Sequence, residues 1–458
     1  MSGAVDPQPD GLLLTYYGDD FTGSTDVMEA MTAAGVPTVL FMITPTPEML
    51  AKFPNARCIG VAGSSRGRSP DWMEEELPKV FSILAGMRAP ILHYKICSTF
   101  DSSPTIGSIG RAIDLGTRAM PGRWSPIIVG SPRLARYQVF GNLFATVDGA
   151  TYRLDRHPTM SRHPVTPMHE SDLRRHLAAQ TARRIELIDM LQLRNGAAGQ
   201  RVDDLTGGDV PVLLIDVLDE ETLAAAGRLV WERRGAGLFS ASSSGLAYAL
   251  TAHWREINLL PKEPSLPVAA AVPAIAVVSG SCSPVTASQI AWARAQGFRT
   301  ERLHVAGALD ARTREAEIER LTGVATSALR QGISPVIFSA EGPDDEAVSR
   351  FGQLAQDAGL SRPQAARMVG ATLAEVMKRL LDRAKPRRIA IAGGDSAGEI
   401  VSALEIQALT ATAALTPGAP LCRTWSDHVD RDSLELVLKG GQIGNETFFG
   451  QVRAGGVR

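Results

Sequence analysis

Short apolar runs rich in Val, Ile and Leu return along this chain, separated by stretches with the composition of helices. In the first half they fall at 12–17, 37–42, 58–62, 91–96, 127–130, 212–215 and 237–240. A run that stays apolar instead of alternating suits a strand buried on both faces, and strands joined by helices pair in parallel. The chain therefore reads as α/β, with mostly parallel sheets flanked by helices. Residues 261–273, rich in Pro and Ala and without an amphipathic period, break the rhythm. A second series follows at 274–279, 302–305, 335–339, 388–392 and 434–438. At 458 residues the chain exceeds one typical domain. Two α/β domains are expected, 1–262 and 274–458, joined by a linker at about 263–273. One hairpin, 142–147 with 150–154, departs from the parallel pattern and turns at Asp148-Gly149.

Charge and cysteine content exclude several classes. The formal net charge is -2 with no long basic run, which argues against nucleic-acid binding. Cysteines at 58, 97, 282 and 422 form no CxxC pair, so neither a zinc site nor a disulfide framework is expected. Free thiols, an acidic and polar Met1–Pro9 unlike a signal peptide, and no apolar stretch of membrane-spanning length suggest a cytoplasmic protein with no membrane partner. His157 and His163 each precede a proline in a polar loop and read as structural; metal ligands stay unassigned.

The most telling segment is Gly18-Asp19-Asp20-Phe21-Thr22-Gly23-Ser24-Thr25-Asp26, set between the first apolar run and an amphipathic stretch. In open α/β sheets ligands bind beyond the carboxyl ends of the strands, so Asp19 and Asp20 point at a site. A helix cap is the alternative reading of a single Asp there. Polar clusters follow later strands as well: 64–68, Lys95 with 97–101, and 131–133, expected along one edge of one sheet. Arg forks suit carboxylates, Lys adds a point charge, and Asp, Ser and Thr suit hydroxyls, so the set fits a small polyhydroxylated anion. Ser242-Ser243-Ser244 reads equally as ligand contact or cap, and neither Cys97 nor Cys282 has the neighbouring His of a nucleophile.

In the second half, small-residue turns follow strands at 279–283, 393–398 and 439–444. Such turns free backbone N–H groups for phosphate. None reads GxxxxGK[ST] or GxGxxG, but three together point to a nucleotide site. Asp395 has two readings, a magnesium ligand or a helix cap.

Together these segments resemble the four-carbon acid sugar kinase family. The resemblance rests on GDDFTGSTD at 18–26, SSR at 64–66, YKICSTFDSSP at 94–104, HPVTPM at 163–168, SGSCSP at 279–284, GGDSAG at 393–398 and KGGQIGNETFFG at 439–450. It implies an N-terminal sugar-acid domain, a C-terminal ATP domain and an active site in the cleft between them. The reaction implied is transfer from ATP, with Mg2+, to the terminal hydroxyl of a four-carbon sugar acid or its 3-oxo form. Carried onto this sequence, Asp19 and Asp20 are catalytic, and Asp20, Arg66, Lys95, Cys97, Ser98 and Asp101 bind the sugar acid. Ser279, Gly280, Ser281, Gly393, Gly394, Asp395, Ser396, Gly440, Gly441 and Gly444 bind the nucleotide. One Asp of the pair would orient or deprotonate the hydroxyl, while Arg66 and Lys95 hold the carboxylate.

The sequence departs from the family's usual pattern at Gly440, Gln442 and Ile443, in the 393–398 turn, and at 105–110. A branched or 3-oxo relative of the tetronates, such as 3-oxo-isoapionate, is a substrate consistent with those departures. The altered final motif motivates the alternative of a non-catalytic sugar-acid sensor with a degraded nucleotide site. An Asp-nucleophile phosphatase would need carboxylates flanking one residue, and a dehydrogenase would need GxGxxG. A homodimer is compatible with the sequence, which does not fix the oligomeric state.

Overall fold

The computed structural model describes residues 11–147, 149–163, 165–262 and 266–456, without the side chains of Asp395 and Ser396. The chain forms two compact units, Met1–Val39 with Thr44–Ser265, and Leu40–Ile43 with Leu266–Arg458. Among the described residues no helix is long and apolar enough to cross a membrane.

The first unit contains β1 (Leu14–Gly18), the first half of β2 (Thr38–Phe41), β3 (Cys58–Ala62), β4 (Ile91–Lys95), β5 (Ser125–Ile128), β6 (Arg136–Val139), β7 (Asn142–Val147), β8 (Ala150–Arg153), β9 (Ile185–Ile188), β10 (Val212–Ile215) and β11 (Leu238–Ser242). Its main sheet runs β11-β4-β1-β3, with β2 next to β3. Every residue of β1, β3, β4 and β11 is buried, as their unbroken apolar character requires. The pairing is parallel, with Gly18 opposite both Ala62 and Lys95, so these strands end level with one another. A second parallel sheet, β5-β10-β9, and an antiparallel one, β6-β7-β8, complete the unit. The 131–133 cluster therefore follows a strand of the second sheet, whereas one shared sheet edge was expected. The 142–154 hairpin forms as β7 and β8; Asp148 of its expected turn lies outside the described residues.

The second unit contains β12 (Ala276–Ser279), β13 (Arg299–Arg302), β14 (Pro335–Phe338), β15 (Arg388–Ala392), β16 (Ala408–Thr416), β17 (Ala419–Trp425) and β18 (Glu435–Lys439), ordered β16-β17-β18-β15-β12-β14-β13. The strands β18, β15, β12, β14 and β13 pair in parallel. Val277, Ile290, Phe338, Val437, Phe448 and Phe449 anchor its apolar core. Burying each such side chain contributes about 1.5–3 kcal/mol. The strand expected at 302–305 lies instead at Arg299–Arg302, and Val305 begins a helix.

Candidate active site

Because β1, β3 and β4 end level, their first loop residues meet. The Asp19 N–H donates to the Lys95 carbonyl at 2.9 Å, and the Arg66 N–H donates to the Asp19 carbonyl at 2.9 Å. The side chains of the same residues then converge. Arg66 donates from Nε and Nη2 to Asp19 (3.1 and 2.7 Å) and from Nη1 and Nη2 to Asp20 (2.9 and 2.8 Å). One guanidinium thus clamps both carboxylates. Next to it the Ser65 hydroxyl and the Tyr94 hydroxyl are 2.7 Å apart, which fixes the short turn that carries Arg66.

Asp20 also caps the helix Phe21–Ala33. It accepts the Gly23 N–H at 2.9 Å and the Thr22 hydroxyl at 2.9 Å, so its four bonds leave it no freedom to turn. Asp20 thus realises the cap reading of this junction, and the cap holds its carboxylate against Arg66. Gly23 is required by space: a Cβ there would lie 2.3 Å from Asp20 Oδ1 and 2.9 Å from Lys95 Nζ. Lys95 is buried, and its nearest carboxylate oxygen is Asp26 Oδ2 at 3.9 Å.

The two carboxylates part in proton affinity. Burial raises Asp19 above the usual carboxylate range; Arg66 opposes this and the Asp20 charge adds to it. Burial would raise Asp20 too, but Arg66, Lys95, Thr22 and the Gly23 N–H outweigh it and hold Asp20 low. Paired acids pushed apart in this way suit a proton acceptor beside a permanent anion.

After β4, the Cys97 thiol lies 2.9 Å from the Thr99 hydroxyl, which donates to Asp101 at 2.7 Å. Burial raises the thiol to about 11, so it is no ready nucleophile. Ser98 is half-buried in the same turn. Phe100 holds φ 58, a left-handed conformation that costs an ordinary residue about 1–3 kcal/mol and is found at functional loops. His157 Nδ1 accepts the N–H groups of Thr159 and Met160, and His163 Nδ1 that of Thr166. Both rings thus brace their loop.

In the second unit the turns after β12, β15 and β18 interlock. Gly280 N–H donates to Ala392 O and Gly393 N–H to Lys439 O, 2.9 and 3.0 Å. Ser279 is fully buried, and its hydroxyl accepts the Ser281 N–H at 3.4 Å. Thr286 Oγ1 donates to Ser281 Oγ and lies 3.0 Å from the Gly441 carbonyl. A Cβ at Gly441 would come within 2.8 Å of Ser281 Oγ, so the turns need glycine there. Gly394 precedes the helix Asp395–Ala403 with no side-chain cap, leaving first-turn N–H groups for a ligand. Gly440 and Gly444 flank Ile443 in the last turn. The side chains of Asp395 and Ser396 lie outside the described residues. The exposed Cys282 sits in the first turn.

Lys439 opens the 439–444 turn, and its sequence position alone gave it no role. It is fully buried, with Nζ donating to Thr286 Oγ1 at 2.9 Å and to Gly441 O at 3.3 Å. Burial lowers it to about 8, which is the behaviour of an ammonium set among neutral groups. A lone charged residue opening a glycine turn was the available signal. An open cavity of about 950 Å³, lined by Ser288, Ala291, Arg302, His304, Glu341 and Arg350, lies beside the helix that starts at Pro284.

Residues 14–250 match the model of a sugar-binding N-terminal domain, and residues 276–449 match that of a nucleotide-binding C-terminal domain. The chain is 67% identical to a 3-oxo-isoapionate kinase of Paraburkholderia graminis, over 98% of this chain and 95% of the relative. It is 29% identical to a 3-oxo-tetronate kinase of Methylobacterium radiotolerans, over 96% and 98% respectively. A crystal structure from Salmonella typhimurium LT2 superposes with a TM-score of 0.77 at 26% identity, covering 98% of this chain and 100% of the other. The chain belongs to the kinase family that joins a sugar-binding N-terminal domain to a nucleotide-binding C-terminal domain.

Proposed function

We propose that this chain is an ATP-dependent kinase that phosphorylates the terminal hydroxyl of a 3-oxo sugar acid, with 3-oxo-isoapionate as its substrate. The observation that carries this reading is the 67% identity to the Paraburkholderia graminis enzyme along nearly the whole chain. The geometry supplies roles that suit it. Asp19, raised by burial, accepts the proton of the attacking hydroxyl. Asp20, fixed as a helix cap, and Arg66, held by both carboxylates, are positioning residues for Asp19. Lys95 contributes a buried positive charge on the sugar-acid side. Lys439 and the free N–H groups of the glycine turns take the phosphates, the preorganised charge that phosphoryl transfer depends on. The open cavity beside the Pro284–Ala295 helix has room for the nucleoside.

Magnesium, when bound, neutralises phosphate charge. Among the described residues no group of three or more His, Cys, Asp or Glu could hold it. Magnesium in kinase sites rests on phosphates and water with one or two carboxylates, so no protein cage is needed; Asp395 is the proposed protein ligand. The reaction belongs in the cytoplasm, where ATP is supplied.

The test is ADP release measured with ATP, magnesium and a panel of 3-oxo-isoapionate, 3-oxo-tetronates, threonate and erythronate. Turnover is expected with 3-oxo-isoapionate, at a kcat/KM exceeding that of any unbranched acid. Release with a 3-oxo-tetronate alone would overturn the substrate assignment. Binding of an acid with no ADP release from any would overturn the kinase and favour a sensor.

A further inference from the structure

A carboxylate-binding group is still needed in the first unit, because Arg66 is committed to Asp19 and Asp20. One other arginine has the right setting. Ser131, beyond β5, and Arg136, the first residue of β6, exchange both backbone hydrogen bonds, 2.8 and 3.1 Å. Residues paired in this way send their side chains to the same face. Gln138, two residues along β6, shares that face, and so do its cross-strand neighbours Leu143 and Ala145, both fully buried. This inward face carries buried polar atoms that nothing in the protein satisfies: Ser131 Oγ, Arg136 Nε and Gln138 Oε1. Ser131 and Gln138 are themselves wholly buried.

A buried polar atom without a partner is costly, and a native protein keeps one where a ligand completes it. Arg136 lends only Nη1 to the protein, to the carbonyls of Leu134, Ala135 and Thr146. Among the described residues no carboxylate pairs with it. Burial lowers the proton affinity of Arg136, and Asp101, in the loop after β4, opposes this. The turn that presents it is itself held out of the ordinary, with Ala135 at φ 52. A cation, a hydroxyl and an amide oxygen, all unfilled and on one face, match a small acid that also bears hydroxyls.

We infer that Arg136 receives the carboxylate of the sugar acid, with the Ser131 hydroxyl bonding a substrate hydroxyl and Gln138 Oε1 accepting from another. The assignment rests on the kinase reading and gives that reading its acid-recognising group. It separates the recognition of the acid from Arg66, which serves Asp19.

The experiment compares 3-oxo-isoapionate with its neutral carboxamide. The wild-type enzyme prefers the acid. In Arg136→Gln the KM for the acid rises about 100-fold, as expected when a buried charge pair loses one partner, and the preference over the amide disappears. Arg136→Lys keeps part of the preference, and Ser131→Ala raises KM about 5-fold for both compounds. The melting-temperature rise given by ATP stays intact in every variant, which shows that each is folded. A purely structural Arg136 would lower turnover of acid and amide alike and leave their ratio unchanged, and that result overturns the inference. If the wild type turns over no acid, the kinase reading fails by itself. Calorimetric titration with 3-oxo-isoapionate and L-threonate then decides: binding lost in Arg136→Gln upholds the assignment, and binding retained, or none in the wild type, overturns it.

Discussion

Asp19 and Asp20 share a peptide bond and one guanidinium, yet their proton affinities are driven in opposite directions. Asp19 must be ionised to accept a proton, so kcat/KM falls as pH drops through its raised value, above the ordinary carboxylate range. Asp19→Asn is expected to lower kcat by about 10²–10⁴-fold, the usual worth of a general base. Asp20→Asn removes the like charge beside Asp19, so the Asp19 value falls and the acid limb of the profile moves to lower pH. That variant also weakens the cap of the Phe21–Ala33 helix, costing about 0.5–2 kcal/mol of stability. A pH–rate profile of both variants checks this. Unchanged turnover in Asp19→Asn, or an acid limb moving upward in Asp20→Asn, would remove Asp19 from its role.

Turns and strand ends do the work of assembly. The Gly441 turn touches Ser281 closely enough that a methyl group must push the two apart. Gly441→Ala is therefore expected to weaken ATP binding about tenfold or more, read by calorimetry, while sugar-acid binding by the other unit is unaffected. Equal loss of both ligands would mean general unfolding instead. The strands that were legible in the sequence are those buried on both faces, such as 58–62, 212–215 and 388–392, where the apolar run and the strand coincide. Arg299–Arg302 was not, because it is a sheet-edge strand of charged and polar residues, only partly buried. The apolar residues just after it, Leu303 and Val305, drew the expected strand three residues late. The antiparallel pair β16 and β17 was also missed: Ala and Thr dominate β16, so the alternation over 409–413 is carried by residues of weak apolar character.

For the molecule as a whole, the chain forms two compact units, as 458 residues outgrow one core, and the second takes in Leu40–Ile43 as well as Leu266–Arg458, which the Pro/Ala break in the apolar rhythm does not announce. The residues of the Asp19–Arg66 cluster were legible because each follows a strand of one parallel sheet, and such strands end together. Their partners were not. Nothing in the spacing says that Arg66 would be spent on aspartates, because a guanidinium binds a protein carboxylate and a substrate carboxylate by the same fork. Nor does local sequence reveal that Ser131 follows a strand of the second sheet, since sheet membership is set by packing far along the chain.

The distribution of thiols has a practical outcome for anyone who works with the protein. Cys58 and Cys422 are buried, and the Cys97 thiol, at about 11, is almost wholly protonated at neutral pH. Cys282 alone among them is exposed, and it sits in the glycine turn proposed to hold phosphate. A maleimide dye added to the native enzyme should attach once, at that turn, with ATP slowing the labelling and the sugar acid leaving its rate unchanged. Peptide mapping by mass spectrometry would find the mark, and labelling at Cys97 instead would contradict the burial described. The wild-type sequence thus supplies its own fluorescent gauge of nucleotide occupancy, with no engineered cysteine required.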